Sequence, residues 1–452
     1  MKKPSSKGLK NLKSWVFQKF TFDFIEKTAR ETGFMQRKRK LDPVLLIFTL
    51  IFGVSSHMKP TLDEIHRHYI DLDDNPKILT SIRNQSFRKR FNLKLVDFLK
   101  SLMEHYIDQM VHQSPAHLKG IVGGFKDILV QDSSIIRISK KLYELHPAAR
   151  SRDESAGLKI HAIYSVVSNS VKNAIITTER VHDSKMLKIG PEIENILLIN
   201  DLGYYSLKIF SKIQQYGGFF VSRVKSNAVF KVVSINSGPS EITSIVDHIR
   251  FKSINGYDFL DLMPKKGVYD LICSFHVGDK RINKIKTPIF QEFRVICTWN
   301  PLTEKWHLYI TNISKELFSA DDIYDLYRFR WVIELIFKEL KGDYDLGKMF
   351  LGNEPMAFIH IYSMLLRFII SRDLFSWIVS TSRKNDKGKY TPMLWSKVFS
   401  EKGLEFLSVL NQNLFGKGNV NKRWVKLEKS LRHLAKSRNI KETLSLKFSE
   451  IL

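Results

Sequence analysis

At 452 residues, with 43% hydrophobic and 26% charged side chains, the chain has the make-up of a globular protein of roughly two to four domains. Two cysteines, Cys273 and Cys297, exclude a disulfide framework and a cysteine-based zinc site, and reducing cytoplasm is the expected compartment. A formal net charge of +26 favours a polyanionic partner, with nucleic acid first and a membrane surface second.

Residues 1–118 read as a helical, basic region. The first forty residues are rich in Lys and Arg and end in Arg37-Lys38-Arg39-Lys40. The longest apolar run, Val44 to Val54, is too short to span a bilayer, and the N-terminus lacks a signal-peptide layout. A buried helix is expected there. A helix starting at Thr61 carries Leu62, Ile65 and Tyr69 on one face, and a later one carries Leu95, Phe98, Leu102 and Tyr106. Between them, residues 84–91 mix cations with aromatics. Short helices with basic faces suit DNA binding. A packing domain with solvated cations is the plainer alternative.

From Asp127 the pattern changes to strands. Residues 127–138, 158–167 and 174–181 are β-branched runs separated by polar turns, and 196–201 is a fourth, apolar run. Residues 204–216 look helical and end at Gly217-Gly218, and 219–224 make a fifth strand. Three strands followed by alternating helix and strand is the order of an RNase H-like α/β fold, with its first part at 119–226. Ligands of open α/β sheets gather at the carboxyl ends of strands, where Asp201 falls.

Residues 227–319 keep strand-like runs at 229–235, 269–275, 293–299 and 306–311, broken by turn signals such as Asn255-Gly256 and Asn300-Pro301. They read as a mostly β insertion. The core resumes at 320–375, and 376–452 form a basic helical C-terminal region.

Within the resumed core, Tyr327, Arg330, Glu334 and Lys341 read Tyr-x2-Arg-x3-Glu-x6-Lys. On one continuous helix, at about 100° per residue, all four fall within roughly a 60° wedge. Leu326, Phe329, Ile333, Phe337 and Leu340 form a neighbouring stripe that would face the core. A carboxylate beside two cations and a phenol suits a metal ion and a polyanionic substrate together. A surface helix with ion pairs from Arg330 to Glu334 and from Glu334 to Lys338 is the plainer reading.

That spacing resembles the Y-R-E-K signature of bacterial DDE transposases of insertion-sequence type 4. The resemblance implies two upstream aspartates in or at the end of apolar strands. Asp132, in Val130-Gln131-Asp132-Ser133, and Asp201, ending Leu198-Ile199-Asn200-Asp201, stand in such places. The family often has Arg after the second aspartate, and this chain has Leu202. The likeness runs from about Asp127 to Leu365. It implies a DNA transposase that cleaves transposon ends and joins them to target DNA, through a hairpin and as a homodimer on double-stranded DNA.

Phosphodiester cleavage of this kind uses two divalent ions and no covalent protein intermediate. Mg2+, with Mn2+ able to substitute, takes hard oxygen ligands. The resemblance assigns those ligands to Asp132, Asp201 and Glu334, with Asp132 bridging. It places Tyr327, Arg330 and Lys341 on phosphate and Trp306 against a base flipped out near the transposon end. His161 reads as a hydrogen-bonded structural residue, and Asp183 as a helix N-terminal one. Two other functions share these features: an RNase H-like nuclease of repair or recombination, and a non-catalytic DNA-binding protein derived from a transposase.

Overall fold

The computed structural model describes residues 11–37, 40–53, 61–71, 82–111, 123–149, 155–278, 289–346, 353–383, 386, 389–415 and 420–437. Lys38 and Arg39 of the basic stretch lie outside these residues.

A single ten-stranded sheet runs through the molecule. Its strands are β1 (Asp127–Ile138), β2 (Ala156–Ser165), β3 (Ser170–Thr178), β4 (Ile196–Asn200), β5 (Phe219–Arg223), β6 (Val229–Ser237), β7 (Ser253–Asn255), β8 (Val268–His276), β9 (Phe290–Asn300) and β10 (Lys305–Thr311). They lie in the order β3-β2-β1-β4-β5-β10-β9-β8-β6-β7. β1, β4 and β5 are mutually parallel, and the remaining pairs are antiparallel. The β-rich segment therefore extends the central sheet: β10 pairs with β5, with Thr311 level with Val221. β2 and β3 start earlier than their apolar runs suggest. The turn between them is closed by Asn169 at φ 48°, a left-handed conformation that Asn tolerates.

Period-2 alternation divides the sheet residues between two cores. Ile128, Val130, Leu197, Ile199, Val221 and Tyr309 face the first; Leu198, Phe220, Leu308 and Ile310 face the second. The helices are α1 (Leu12–Lys19), α2 (Phe22–Glu31), α3 (Pro43–Phe52), α4 (Leu62–Asp71), α5 (Asn84–Arg88), α6 (Leu93–Val111), α7 (Leu207–Gln215), α8 (Ile242–Ile249), α9 (Gly256–Leu262), α10 (Ala320–Arg328), α11 (Arg330–Gly342), α12 (Glu354–Ser380), α13 (Pro392–Glu401), α14 (Gly403–Phe415) and α15 (Val420–Leu434). α7, the crossover from β4 to β5, packs in the second core through Phe210, stacked on Phe220 at 4.2 Å. The long α12, buried on almost every side, packs with α6 and α11 in the first.

Helices from the two ends of the chain share that first core. The Leu12 N–H donates to Glu428 Oε2 at 2.8 Å, and Phe52 stacks on Phe406 at 4.7 Å. α3 lies on the apolar run that begins at Val44, whose last residue, Val54, is outside the described residues; Pro43 opens the helix and Asp42 caps it, accepting from the Val44 and Leu45 N–H groups. Among the described residues, no helix is long and apolar enough to cross a membrane.

The Tyr-x2-Arg-x3-Glu-x6-Lys stretch does not lie on one uninterrupted helix. A capping box of Ser319 and Asp322 starts α10, which ends before Phe329. Phe329 donates its N–H to Leu326, three residues back, and α11 begins at Arg330. This tightened turn separates Tyr327 from the other three residues. Phe329, at this turn, is buried in the first core.

Candidate active site

Asp132 lies within β1, Asp201 directly follows β4, and Glu334 stands one turn into α11. β1 and β4 pair in register through Gln131 and Asn200, so Asp132 and Asp201 are the next residues of two adjacent parallel strands. Both continue the parity of Val130 and Ile199 and face the first core. α11 packs over β1 on that same face, carrying Glu334 toward them.

Arg330 ties the acids together. Its Nη1 donates to Glu334, and its Nε lies 3.9 Å from Asp201 Oδ1. The guanidinium also lies over the Tyr327 ring at 5.7 Å and the Trp331 ring at 5.9 Å. Asp132 feels all three groups. Burial pushes its carboxyl up to about 6; the Ser133 N–H and Arg330 oppose this, while the charges of Asp201 and Glu334 add to it. The Asp201 and Glu334 side chains are 39% and 34% exposed, so the site opens to solvent.

Among the described residues, no three His, Cys, Asp or Glu side chains are grouped closely enough to hold a metal ion as they stand. The donor chemistry nevertheless fits one. Three carboxylates supply only hard oxygens, the ligands Mg2+ takes. Their mutual repulsion, visible at Asp132, is what a cation relieves. Arg330 is the cation that now bridges two of them.

The flanking residues divide. Tyr327 is buried beside Arg330, with its ring 4.9 Å from Tyr309 and no hydrogen-bond partner for its hydroxyl among the described residues. Burial raises its phenol pKa, so the hydroxyl keeps its proton and can donate it to a ligand. Lys341 is exposed at the last turn of α11, seven residues beyond Glu334, and makes no ion pair among the described residues. Trp306 is not brought to the acids. It packs against the second core, with its ring centroid 5.3 Å from Trp299 and 5.6 Å from Tyr269, while its neighbours on the site's face are His307 and Tyr309.

Beneath Asp132, on the second face, His161 is buried among Thr177, Tyr204 and Asp183. Its hydrogen-bonded strand position is the structural one expected. Burial pushes its imidazole down to about 4, with Asp183 opposing and Lys159 adding. At 3% exposure the ring stays neutral in the fold. An unfolded chain takes up a proton below pH ~6.5 that the folded chain refuses. This group's contribution is therefore lost as the pH falls from about 6.5 toward about 4. Urea melts at pH 7 and pH 5 should show roughly 1–2 kcal/mol less of this loss in His161→Gln than in wild type.

Asp183 is the site residue that sequence reasoning underrated. It does open a turn, Asp183–Lys185, but it also accepts from Ser133, the neighbour of Asp132. Its short polar surroundings, His182-Asp183-Ser184, carry no period that would reveal a long-range partner.

The family model of the transposase DDE domain matches residues 123–366, a span that contains every residue placed above. The transposase for insertion sequence element IS231F of Bacillus thuringiensis subsp. israelensis is 23% identical over 397 residues, covering 82% of this chain and 81% of its own. That for IS1151 of Clostridium perfringens is 21% identical over 400 residues, covering 84% and 82%. Among solved structures, the cryo-EM piggyBac transposase synaptic complex with hairpin DNA covers 93% of this chain and 84% of its own at 11% identity, with a TM-score of 0.44.

Proposed function

This chain belongs to the transposase DDE domain family, and from that premise we propose that it is a DNA transposase whose acidic triad is Asp132, Asp201 and Glu334. One observation carries the assignment of residues. Two adjacent parallel strands and one helix deliver three carboxylates to a single face, close enough for Arg330 to bridge two and for all to act on Asp132. The strand order β3-β2-β1-β4-β5, with β1, β4 and β5 parallel, supports an RNase H-like core. The residue spacing supports the Y-R-E-K group.

The three carboxylates would hold two Mg2+ ions, or Mn2+ in their place. Bound there, such ions supply an activated water and stabilise the departing 3′ oxygen. Arg330 offers a planar fork to two phosphate oxygens once Glu334 and Asp201 have released it. Tyr327 donates its orphaned hydroxyl to a phosphate oxygen beside Arg330. Lys341, further along α11, adds a point charge on the DNA backbone. The freed 3′ hydroxyl then attacks a second phosphodiester, first on the opposite strand to give a hairpin and, after reopening, on target DNA. A homodimer would hold both ends, in the cytoplasm. Trp306 would stack on a base flipped out near the transposon end by turning its ring away from Trp299 and Tyr269.

Purified chain incubated with its flanking DNA should cut at the element ends in Mg2+ and not in EDTA, and should join those ends to a target plasmid. Cutting without joined product favours a nuclease; neither product favours a DNA-binding derivative.

Arg330 makes a separate prediction. Removing it leaves the carboxylates without their present counter-charge. Arg330→Gln should therefore bind Mg2+ several-fold more tightly in the absence of DNA, yet cleave about 100-fold more slowly. Calorimetric Mg2+ titration and single-turnover cleavage check the two halves. Weakened Mg2+ binding would count against its role as a stand-in cation.

A further inference from the structure

Backbone pairing between β1 and β4 ends at Gln131 and Asn200, one residue short of both aspartates. Beyond that point, a polar cluster on the second face takes over. Asp183 Oδ1 accepts from Ser133 Oγ at 3.0 Å and from Lys159 Nζ at 3.1 Å. His161 Nδ1 lies 3.5 Å from that oxygen and 3.3 Å from the Tyr204 hydroxyl, and its Nε2 meets Thr177 Oγ1 at 3.0 Å. The other Asp183 oxygen lies close under Gly203, where a Cβ would come within 2.9 Å of it.

The connections are specific to the two aspartates. Ser133 and Gln131 flank Asp132, and Gly203 and Tyr204 form the turn that Asp201 begins. Asp183 thus touches the residue after Asp132 and lies against the turn after Asp201. Tyr204 reaches from that turn to His161, which pairs with Ser133 across β1 and β2 and faces the same Asp183 oxygen. A buried network of this kind is rigid only when its members are satisfied, and here Lys159 balances the Asp183 charge.

Resting on the triad reading above, we propose that Asp183 and Tyr204 are positioning residues, which fix the backbone that carries Asp132 and Asp201 for binding of a shared divalent ion. They touch neither the ion nor the DNA. They replace the strand pairing that stops one residue too early.

The test is Mn2+ binding to the full chain without DNA, read from the electron paramagnetic resonance of the free ion. Asp183→Asn and Tyr204→Phe should each weaken binding about 10-fold, the lower end of what removing an outer-shell partner costs. Their circular dichroism and their metal-free binding of end DNA should match wild type; a merely structural role would lower the melting temperature and leave Mn2+ affinity alone. Unchanged affinity in both folded variants overturns the proposal. Where Asp183→Asn does not fold, Tyr204→Phe, which deletes a single oxygen, decides it. Asp132→Asn is the control. If it too keeps full Mn2+ affinity, the triad reading has failed and the positioning role with it. If it loses the ion while Asp183→Asn and Tyr204→Phe keep theirs, only the positioning role has failed.

Discussion

Asp132→Asn, Asp201→Asn and Glu334→Gln should each lose Mg2+-dependent cleavage of end DNA by roughly a thousandfold or more, because each removes a ligand from a site worth several kcal/mol to the transition state. Binding of end DNA, measured by gel shift in EDTA, should survive in all three. The effects should not add: a double variant falls little below the worst single, since the three groups act as one unit. The Asp132 variant carries its own folding control. Burial already penalises ionised Asp132, which titrates near about 6. Its stability contribution runs opposite to that of a salt-bridged acid, being favourable at low pH and lost as the pH rises from about 4 to about 6. A neutral Asn therefore relieves a strained charge, and the metal-free variant should melt no lower than wild type at pH 7.5. Full cleavage by any one of the three would remove that residue from the site.

Asp270→Ala should cause the largest loss of stability, about 3–5 kcal/mol, from leaving a buried cation without its partner. Arg294, on β9, is only 3% exposed. Its Nε and Nη2 donate to the Asp270 carboxylate on β8 at 2.7–3.2 Å, and its Nη1 donates to the carbonyls of Ile313 and Phe318 at 3.2 and 2.8 Å. Those two carbonyls belong to the segment that leads from β10 into α10. One guanidinium thus fastens the β-rich segment to the start of the helix pair that carries Tyr327, Arg330 and Glu334. Urea denaturation checks the stability change. Replacing both partners, as Asp270→Leu with Arg294→Met, should recover part of the loss. It still leaves the Ile313 and Phe318 carbonyls short of a donor, at about 1–3 kcal/mol each. Full recovery would mean that the ion pair serves the sheet alone.

The local part of this architecture was legible before folding. A β-branched run marked β1, an apolar run β4 and a third strand-like run β5, almost to the residue, because a strand's period is carried by consecutive side chains. An aspartate within one apolar strand and another at the end of a second, with the Tyr-x2-Arg-x3-Glu-x6-Lys spacing, pointed to an acidic site on a basic protein. The family match supports that reading at the level of the domain.

What the chain alone could not settle were choices between distant partners. Whether β10 pairs with β5 depends on which sheet edge is free once β4 has taken its place, and no local pattern records that. The face on which Trp306 lands follows from that pairing: one step of register separates the second core from the site. The turn at Phe329 falls where no helix-breaking residue stands, at a ring buried in the first core. The contact of Arg330 with Asp201, and of Asp183 with Ser133, joins residues 129 and 50 positions apart, by charge and hydrogen bonding. Residue types and their spacing therefore determined the chemistry available to this protein. Tertiary packing decided which of those groups meet, because side chains far apart in sequence interact only after the backbone between them has been placed.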